Sequence, residues 1–143
     1  MKRILDLLLL LITSSFSTAM AAEKNIPYGV LDREKLDIYA PAEAKNAPVI
    51  VHVHGGGWRI GNKRLIQEKP KAFNKKGYIF VSVGYPLLPD HPVETQAQSI
   101  ANAVAWVHNN NKRYGGNPDN LTLTGHSAGA HLITLISTDQ RYL

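Results

Sequence analysis

Hydrophobic and polar positions along the chain switch between short strand-like runs and longer helical stripes. Compact or alternating apolar runs predict strands over residues 35–39, 49–53, 78–83 and 121–124, the first of them short and half-exposed. Helical spacing predicts helices over residues 65–76, 93–110 and 128–137, the last of them buried. Strands that alternate with helices favour right-handed crossovers. The pattern therefore predicts an α/β fold, a mostly parallel sheet with helices on both faces.

The last predicted strand, residues 121–124, has no further strand after it along the chain. A parallel sheet that ended there would expose an apolar edge, which folded proteins avoid. We therefore expect the 143-residue chain to be the N-terminal part of a larger domain. In this interpretation the sheet is truncated after the helix over residues 128–137.

Composition supports one globular domain, since 44% of the residues are hydrophobic and 19% are charged. The formal net charge is +5, and most of the positive side chains cluster between Arg59 and Lys76. We interpret this cluster as a solvated loop and helix face rather than a nucleic-acid surface. The chain has no cysteine, which excludes disulfides, a thiol nucleophile and cysteine-bound metals.

The N-terminus has the pattern of a secretory signal. Lys2 and Arg3 precede an apolar stretch over residues 7–12, and Ala19-Met20-Ala21 fits the small-x-small cleavage rule. We expect a signal peptide over residues 1–21, a mature domain over residues 22–143, and a secreted or periplasmic protein. The apolar stretch is too short to span a bilayer comfortably, so no stable membrane anchor is expected.

A run with nucleophile chemistry lies between the last predicted strand and the last predicted helix. It reads Gly125-His126-Ser127-Ala128-Gly129. A tight strand-to-helix turn needs glycines around the serine and presents its hydroxyl above the sheet edge. The alternative is a glycine-rich turn in which Ser127 only caps the helix. The strand before the run and the helix after it favour the nucleophile.

A second glycine run, His54-Gly55-Gly56-Gly57-Trp58, follows the predicted strand over residues 49–53. Three glycines allow backbone N–H groups to approach a ligand, as an acyl-transfer enzyme needs for its oxyanion. The alternative is a flexible loop after a strand. His52 and His54 share one strand face, which some zinc sites use, but no third ligand is apparent. We therefore expect neither a metal nor another cofactor.

Together these motifs resemble the esterases of the α/β-hydrolase fold. The similarity is to the hormone-sensitive-lipase-like esterases and to the group with feruloyl and acetyl-xylan esterases and arylformamidases. The residues that carry the resemblance are 36–41, 54–58, 84–92, 115–119 and 125–131. One departure is Gly84-Tyr85-Pro86-Leu87, where the family often has Asn-Tyr-Arg-Leu, so the usual arginine is missing.

The resemblance implies a role for each motif residue. Ser127 would be the nucleophile, and the backbone N–H groups of Gly56, Gly57 and Ala128 would form the oxyanion hole. Four further residues would support the two motifs, with the histidine structural rather than basic: His54, Gly55, Gly125 and Gly129. The substrate would be a small-molecule or polysaccharide-linked carboxylic ester, hydrolysed through an acyl-enzyme.

The same fold places the triad acid and then the triad histidine after the nucleophile. No histidine follows His131, and Asp139 comes too early for the acid. We therefore expect little or no activity from the 143-residue chain alone. An arylformamidase or other amide hydrolase would use the same residues. A non-catalytic remnant, or half of a split protein, is the third interpretation. Acyl size and oligomeric state stay open.

Overall fold

The computed structural model describes residues 20–142, so the predicted signal segment lies outside it except for Met20 and Ala21. Described in chain order, the elements are β1 (Met20–Pro27), β2 (Lys35–Pro41), β3 (Ala47–Val53), α1 (Lys69–Lys75), β4 (Ile79–Val83), α2 (Val93–Asn110), β5 (Gly116–Gly125) and α3 (Ala128–Thr138). Short 3₁₀ turns follow α2 and α3, at Asn111–Tyr114 and Gln140–Tyr142.

The five strands form one mixed sheet in the order β1-β2-β4-β3-β5. Strands β4, β3 and β5 are parallel, as expected, whereas β2 runs antiparallel to both of its neighbours. In the β3–β5 ladder Val53 is opposite Gly125. The loops that leave these two strands therefore start side by side at one edge of the sheet, where parallel sheets bind their ligands.

Helices cover both faces of the sheet, which confirms the predicted layering. On one face Val51 packs in a cluster with Ile100 of α2 and Leu132 of α3. On the other face Ile50 and Phe80 form a smaller cluster against α1. Both faces of the central strands are thus buried, and the β-branched runs of the sequence are explained by this position.

Strand β2 is buried rather than half-exposed, so that part of the prediction is wrong. Residues 36–40 are all buried, and the Asp37 side chain is only 1% exposed. The carboxylate of Asp37 accepts a hydrogen bond from the Lys63 ammonium, which enters from the segment before α1. An alternating apolar and polar pattern in a strand is typical of one face open to water. In β2 the pattern misleads, because a charged side chain from another segment covers the polar face.

The first helix is shorter than predicted, because residues 65–68 are turns and α1 begins at Lys69. Gln67 has a left-handed backbone with φ 46°, which a continuous helix does not allow. Pro70 occupies the first turn of α1. Proline is tolerated there because its missing N–H needs no partner, whereas it would break a helix begun at Leu65.

Helix α2 has the predicted bounds, and its buried stripe includes Ala97, Ile100 and Val107. Helix α3 differs from the expected buried helix. Leu132 and Ile136 face the core, whereas the opposite face of α3 is exposed. None of the helices within residues 20–142 combines the length and the apolarity needed to cross a bilayer.

Candidate active site

Ser127 lies at the tip of the turn that joins β5 to α3. Its backbone is left-handed, with φ 51° and ψ −119°, and the residue is exposed. A non-glycine residue in such a conformation costs about 1–3 kcal/mol and persists only where its surroundings determine it. The strained turn therefore holds the Ser127 hydroxyl out toward solvent, at the carboxyl end of the parallel strands.

The two motif glycines leave no space for a side chain. A Cβ on Gly125 would lie 2.6 Å from the Ala130 nitrogen, and one on Gly129 would lie 2.3 Å from the Val53 carbonyl oxygen. These contacts are to backbone atoms, which cannot rotate away. The start of α3 thus packs directly on the ends of β3 and β5, and this packing supports the turn.

The glycine loop after β3 lies against the serine turn. The His126 N–H donates to the Val53 carbonyl at 3.2 Å. A Cβ on Gly55 would lie 2.7 Å from the His126 carbonyl oxygen and 3.2 Å from the Ser127 Cβ. Only glycine allows this approach, so the structure brings together the two motifs that the sequence places far apart.

Hydrogen bonds to neighbouring carbonyls orient the amides of the glycine loop. The Gly55 carbonyl accepts a bond from His54 Nδ1 at 2.7 Å, and the Gly56 carbonyl accepts from the Ile60 N–H at 3.0 Å. In a planar trans peptide the N–H points opposite to the carbonyl. The N–H groups of Gly56 and Gly57 therefore point away from these partners.

Ala128 adds a third amide at the same place. It is the first residue of α3, so its N–H has no acceptor within the helix. The positive end of the helix dipole favours negative charge at this position. The structure thus gathers Ser127 and the three sequence-predicted donor residues around one edge of the sheet.

His54 is locked inside the protein. The residue is 2% exposed, and its ring stacks on Tyr85 with centroids 4.4 Å apart and bonds to the Gly55 carbonyl. Because a carbonyl only accepts, Nδ1 must carry the proton. Burial lowers the pKa of His54, so the ring is neutral near pH 7. His54 shapes the glycine loop and is not placed as a general base.

The other histidines near Ser127 lack the partners of a catalytic base. His52 Nδ1 lies 3.0 Å from Thr124 Oγ1, and burial lowers its pKa to about 4. His131 is exposed and meets the Trp58 ring edge-on at 5.3 Å. Within residues 20–142 the ion pairs involve only lysine and arginine, so no carboxylate orients an imidazole beside Ser127.

The pair His52 and His54 also has no third neighbour for a metal. In the described part of the chain no group of three or more His, Asp or Glu side chains is arranged to hold an ion. The Nδ1 atoms of both rings are engaged by Thr124 and Gly55.

Comparison with known proteins gives this geometry a family. The sequence profile of the BD-FAE family matches residues 36–142, which is more than half of the chain. The chain belongs to this family of α/β-hydrolase esterases. The BD-FAE match includes both the glycine loop and the serine turn.

Relatives of this BD-FAE domain include ester and formamide hydrolases. Esterase LipQ of Mycobacterium tuberculosis is 39% identical over 125 residues, which cover 80% of this chain and 28% of LipQ. Kynurenine formamidase of Salmo salar is 34% identical over 117 residues, which cover 80% of this chain and 38% of that enzyme. The chain therefore spans less than two fifths of the length of these two relatives.

Solved structures confirm the fold of the BD-FAE domain. The crystal structure of esterase B from Lactobacillus rhamnosis superposes with a TM-score of 0.77 at 31% identity. The superposition covers 86% of this chain and 41% of esterase B. The α/β-hydrolase fold predicted from the motifs is thereby shown.

Sequence reasoning missed one buried side chain that supports the glycine loop. Gln96 of α2 is fully buried, and its amide nitrogen lies 3.1 Å from the carbonyl oxygens of both Trp58 and His91. Trp58 has a left-handed backbone, with φ 61°, and its carbonyl also accepts from the Leu88 N–H. The sequence feature that could have revealed this role is the position of Gln96, a polar residue on the apolar stripe of α2.

An open cleft runs along the glycine loop of the BD-FAE domain. It has a volume of about 450 Å³ and is lined by Gly55, Gly56 and His126 together with the apolar side chains of Ile60 and Leu65. Both apolar side chains are more than half exposed. The cleft offers an apolar surface next to the serine turn.

Proposed function

We propose that this protein hydrolyses carboxylic esters through an acyl-enzyme on Ser127. The observation that supports this most strongly is the left-handed Ser127 packed against Gly55. That packing brings the exposed hydroxyl of a strained residue close to the glycine loop. The Gly56 and Gly57 N–H groups of this loop point away from the hydrogen-bond partners of the adjoining carbonyls. We infer a small-molecule or polysaccharide-linked ester as the substrate.

In the proposed reaction Ser127 Oγ attacks the acyl carbon and loses its proton to a general base. The carbonyl oxygen becomes an oxyanion, which accepts hydrogen bonds from the amides of Gly56, Gly57 and Ala128. The alcohol leaves with a proton from the base, and an ester forms on Ser127. Water then attacks this ester, releases the carboxylic acid and restores the serine.

We assign neither the base nor the acid to a described residue, because no imidazole beside Ser127 is paired with a carboxylate. The proposal is that these groups lie outside the 143 residues, as the resemblance implies. We expect the chain alone to turn over esters slowly. Oxyanion donors and binding without a triad base leave a residual acceleration of about 10³–10⁴-fold over water.

The test combines hydrolysis of p-nitrophenyl acetate with labelling by a fluorophosphonate probe, located by mass spectrometry. We expect slow labelling of Ser127 and slow hydrolysis, both lost in Ser127→Ala. Ser137→Ala is the matched control, since Ser137 is an exposed serine of α3 and should leave both unchanged. Activity that survives Ser127→Ala would contradict the nucleophile assignment, and rapid turnover would contradict the missing base.

A second candidate is amide hydrolysis, supported by the kynurenine formamidase relatives at 34% and 32% identity. The nucleophile and oxyanion donors would be the same. Adding an arylformamide to the substrate panel separates the two candidates. A formamidase would hydrolyse the arylformamide faster than the aryl ester that carries the same formyl group. Absence of labelling and of hydrolysis with every substrate would favour the non-catalytic interpretation.

A further inference from the structure

Arg33 connects two segments that lie far apart in the sequence. It belongs to the loop between β1 and β2. Its Nε donates to the Tyr85 carbonyl at 3.0 Å, and its Nη2 donates to the Gly61 carbonyl at 2.5 Å. One guanidinium thus binds the segment after β4 and the end of the glycine loop at the same time.

Those two acceptor residues enclose the His54 ring. The Tyr85 ring stacks on it, and the Tyr85 hydroxyl donates to the His54 carbonyl at 2.8 Å. Gly61 is left-handed, with φ +101°, and a Cβ there would lie 2.7 Å from His54 Nδ1 and 2.5 Å from the Gly55 carbonyl oxygen. Arg33 therefore joins the two sides of the His54 enclosure.

This enclosure controls an amide of the candidate site. The His54 Nδ1 bond to the Gly55 carbonyl sets the plane of the Gly55–Gly56 peptide, and hence the direction of the Gly56 N–H. If Gly61 moves away from His54, that peptide plane gains freedom. An oxyanion donor is effective only when its direction is set before the reaction.

The loop that carries Arg33 is itself anchored. The Glu34 carboxylate accepts from the Ser99 hydroxyl of α2 at 2.7 Å and from the Leu31 N–H at 3.0 Å. Arg33 and Pro86 line one cleft of about 320 Å³.

We propose that Arg33 is a positioning residue that holds Gly61 and Tyr85 around His54 and thereby orients the Gly56 amide. The planar fork of arginine suits two carbonyls at once, whereas a lysine ammonium is a single point of contact. The effect on hydrolysis rests on the proposed function, but the effect on the glycine amides does not.

The experiment compares Arg33→Gln, Arg33→Lys and the control Arg64→Gln in the full chain. Arg64 is an exposed arginine shortly after the loop, and its replacement removes the same charge. Resonances of the Gly55, Gly56, Gly57 and Gly61 amides are recorded by ¹H–¹⁵N NMR, together with their hydrogen exchange. Hydrolysis of p-nitrophenyl acetate is measured on the same samples.

In Arg33→Gln we expect the amide resonances of Gly56 and Gly61 to shift and their exchange to accelerate. The value of kcat should fall about tenfold with KM within about twofold, because misplaced donors affect the transition state most. Arg33→Lys should show an intermediate effect. If Arg33→Gln does not fold, Arg33→Lys still tests whether Arg33 orients the Gly56 amide.

Unchanged Gly56 and Gly61 resonances in both Arg33 variants would overturn the proposal, as would an equal change in Arg64→Gln. If the parent chain neither hydrolyses an ester nor is labelled at Ser127 by the fluorophosphonate probe while the amides respond to Arg33, the proposed function fails and the positioning role stands. If hydrolysis is present and the amides do not respond, the positioning role alone fails.

Discussion

At the scale of single residues, the candidate site depends on glycines whose lack of a Cβ lets backbone segments pack closely. Ser127 keeps its left-handed backbone because Gly125 and Gly129 let α3 start directly on the ends of two strands. Gly55 permits the loop after β3 to touch the serine turn. The motif glycines therefore serve as close contacts, and their role follows from the missing Cβ rather than from flexibility.

Replacing Gly129 with alanine tests this view. The new Cβ would meet the carbonyl oxygens of Val53 and His54 at 2.3 Å and 2.6 Å, so α3 must move outward. We expect Gly129→Ala to lower the free energy of unfolding by about 1–3 kcal/mol, as overpacking does. Chemical denaturation measures this change.

Ser137→Ala serves as the comparison, because Ser137 lies on the exposed side of α3. Its effect should stay within about 0.5 kcal/mol, the range of most surface substitutions. A Gly129→Ala protein as stable as the parent, with Ser127 labelled at the parent rate, would show that α3 has room beside β3.

At the scale of elements, β2 and the segment before α1 are joined by a buried ion pair. Lys63 donates to the carboxylate of Asp37 and to the Asn25 side chain at 2.8 Å. The Ser82 hydroxyl of β4 donates to the Lys63 carbonyl at 2.7 Å. This network ties β1, β2 and β4 to the chain that leaves the glycine loop. It explains why a charged residue occupies the interior of β2.

Asp37→Asn should therefore be strongly destabilising. It leaves the Lys63 ammonium almost buried without a countercharge, which costs about 3–5 kcal/mol when one partner of a buried pair is removed. Denaturant unfolding of Asp37→Asn, Lys63→Met and the double variant measures the coupling. The double variant should lose less stability than the two single changes added together.

The exposed pair Asp32–Lys35 is the matched control. Its carboxylate is 93% exposed, so Asp32→Asn should have an effect near zero, as exposed ion pairs do. Equal losses from Asp32→Asn and Asp37→Asn would refute the buried-pair interpretation, as would strict additivity of the two changes at Asp37 and Lys63.

At the scale of the whole molecule, the sheet brings the two motifs together through its strand order. Strand β3 lies between β4 and β5, although β4 and β5 follow it in the sequence. Within residues 20–142, β5 pairs only with β3 and β1 pairs only with β2. These two strands form the sheet edges of the described chain. The expectation that the chain is part of a larger domain remains a prediction.

We propose export of the protein, with cleavage after Ala21. In the structure β1 begins at Met20, and cleavage would delete only the pairings of Met20 with Pro41 and of Ala21 with Ala40. The pairings from Ala22 to Pro27 would remain, so the sheet should persist. Expression in a bacterial host followed by N-terminal sequencing of the exported protein should show Ala22 first. An intact Met1, or cleavage within β1 beyond Ile26, would contradict this.

Sequence periodicity was sufficient to place the strands and helices whose apolar residues follow a regular pattern. Strands β3 and β4 and helix α2 have their predicted places, because β-branched runs and a regular apolar stripe each favour one structure. The predicted start of α1 was wrong because the left-handed Gln67 and the following Pro70 prevent a helix that begins at residue 65, despite the helical spacing. The exposure predicted for β2 was wrong because Lys63, distant in sequence, neutralises Asp37.

The sequence by itself indicated the type of chemistry that we propose. The two glycine motifs, their order and their place after strands indicated a serine hydrolase site, since such turns require glycine for local steric reasons. Only the tertiary structure decided how the site is held. The contacts of Arg33, Tyr85 and Gln96 with the glycine loop join positions distant in the chain. Such contacts depend on strand order and helix packing, which no local spacing of residues records.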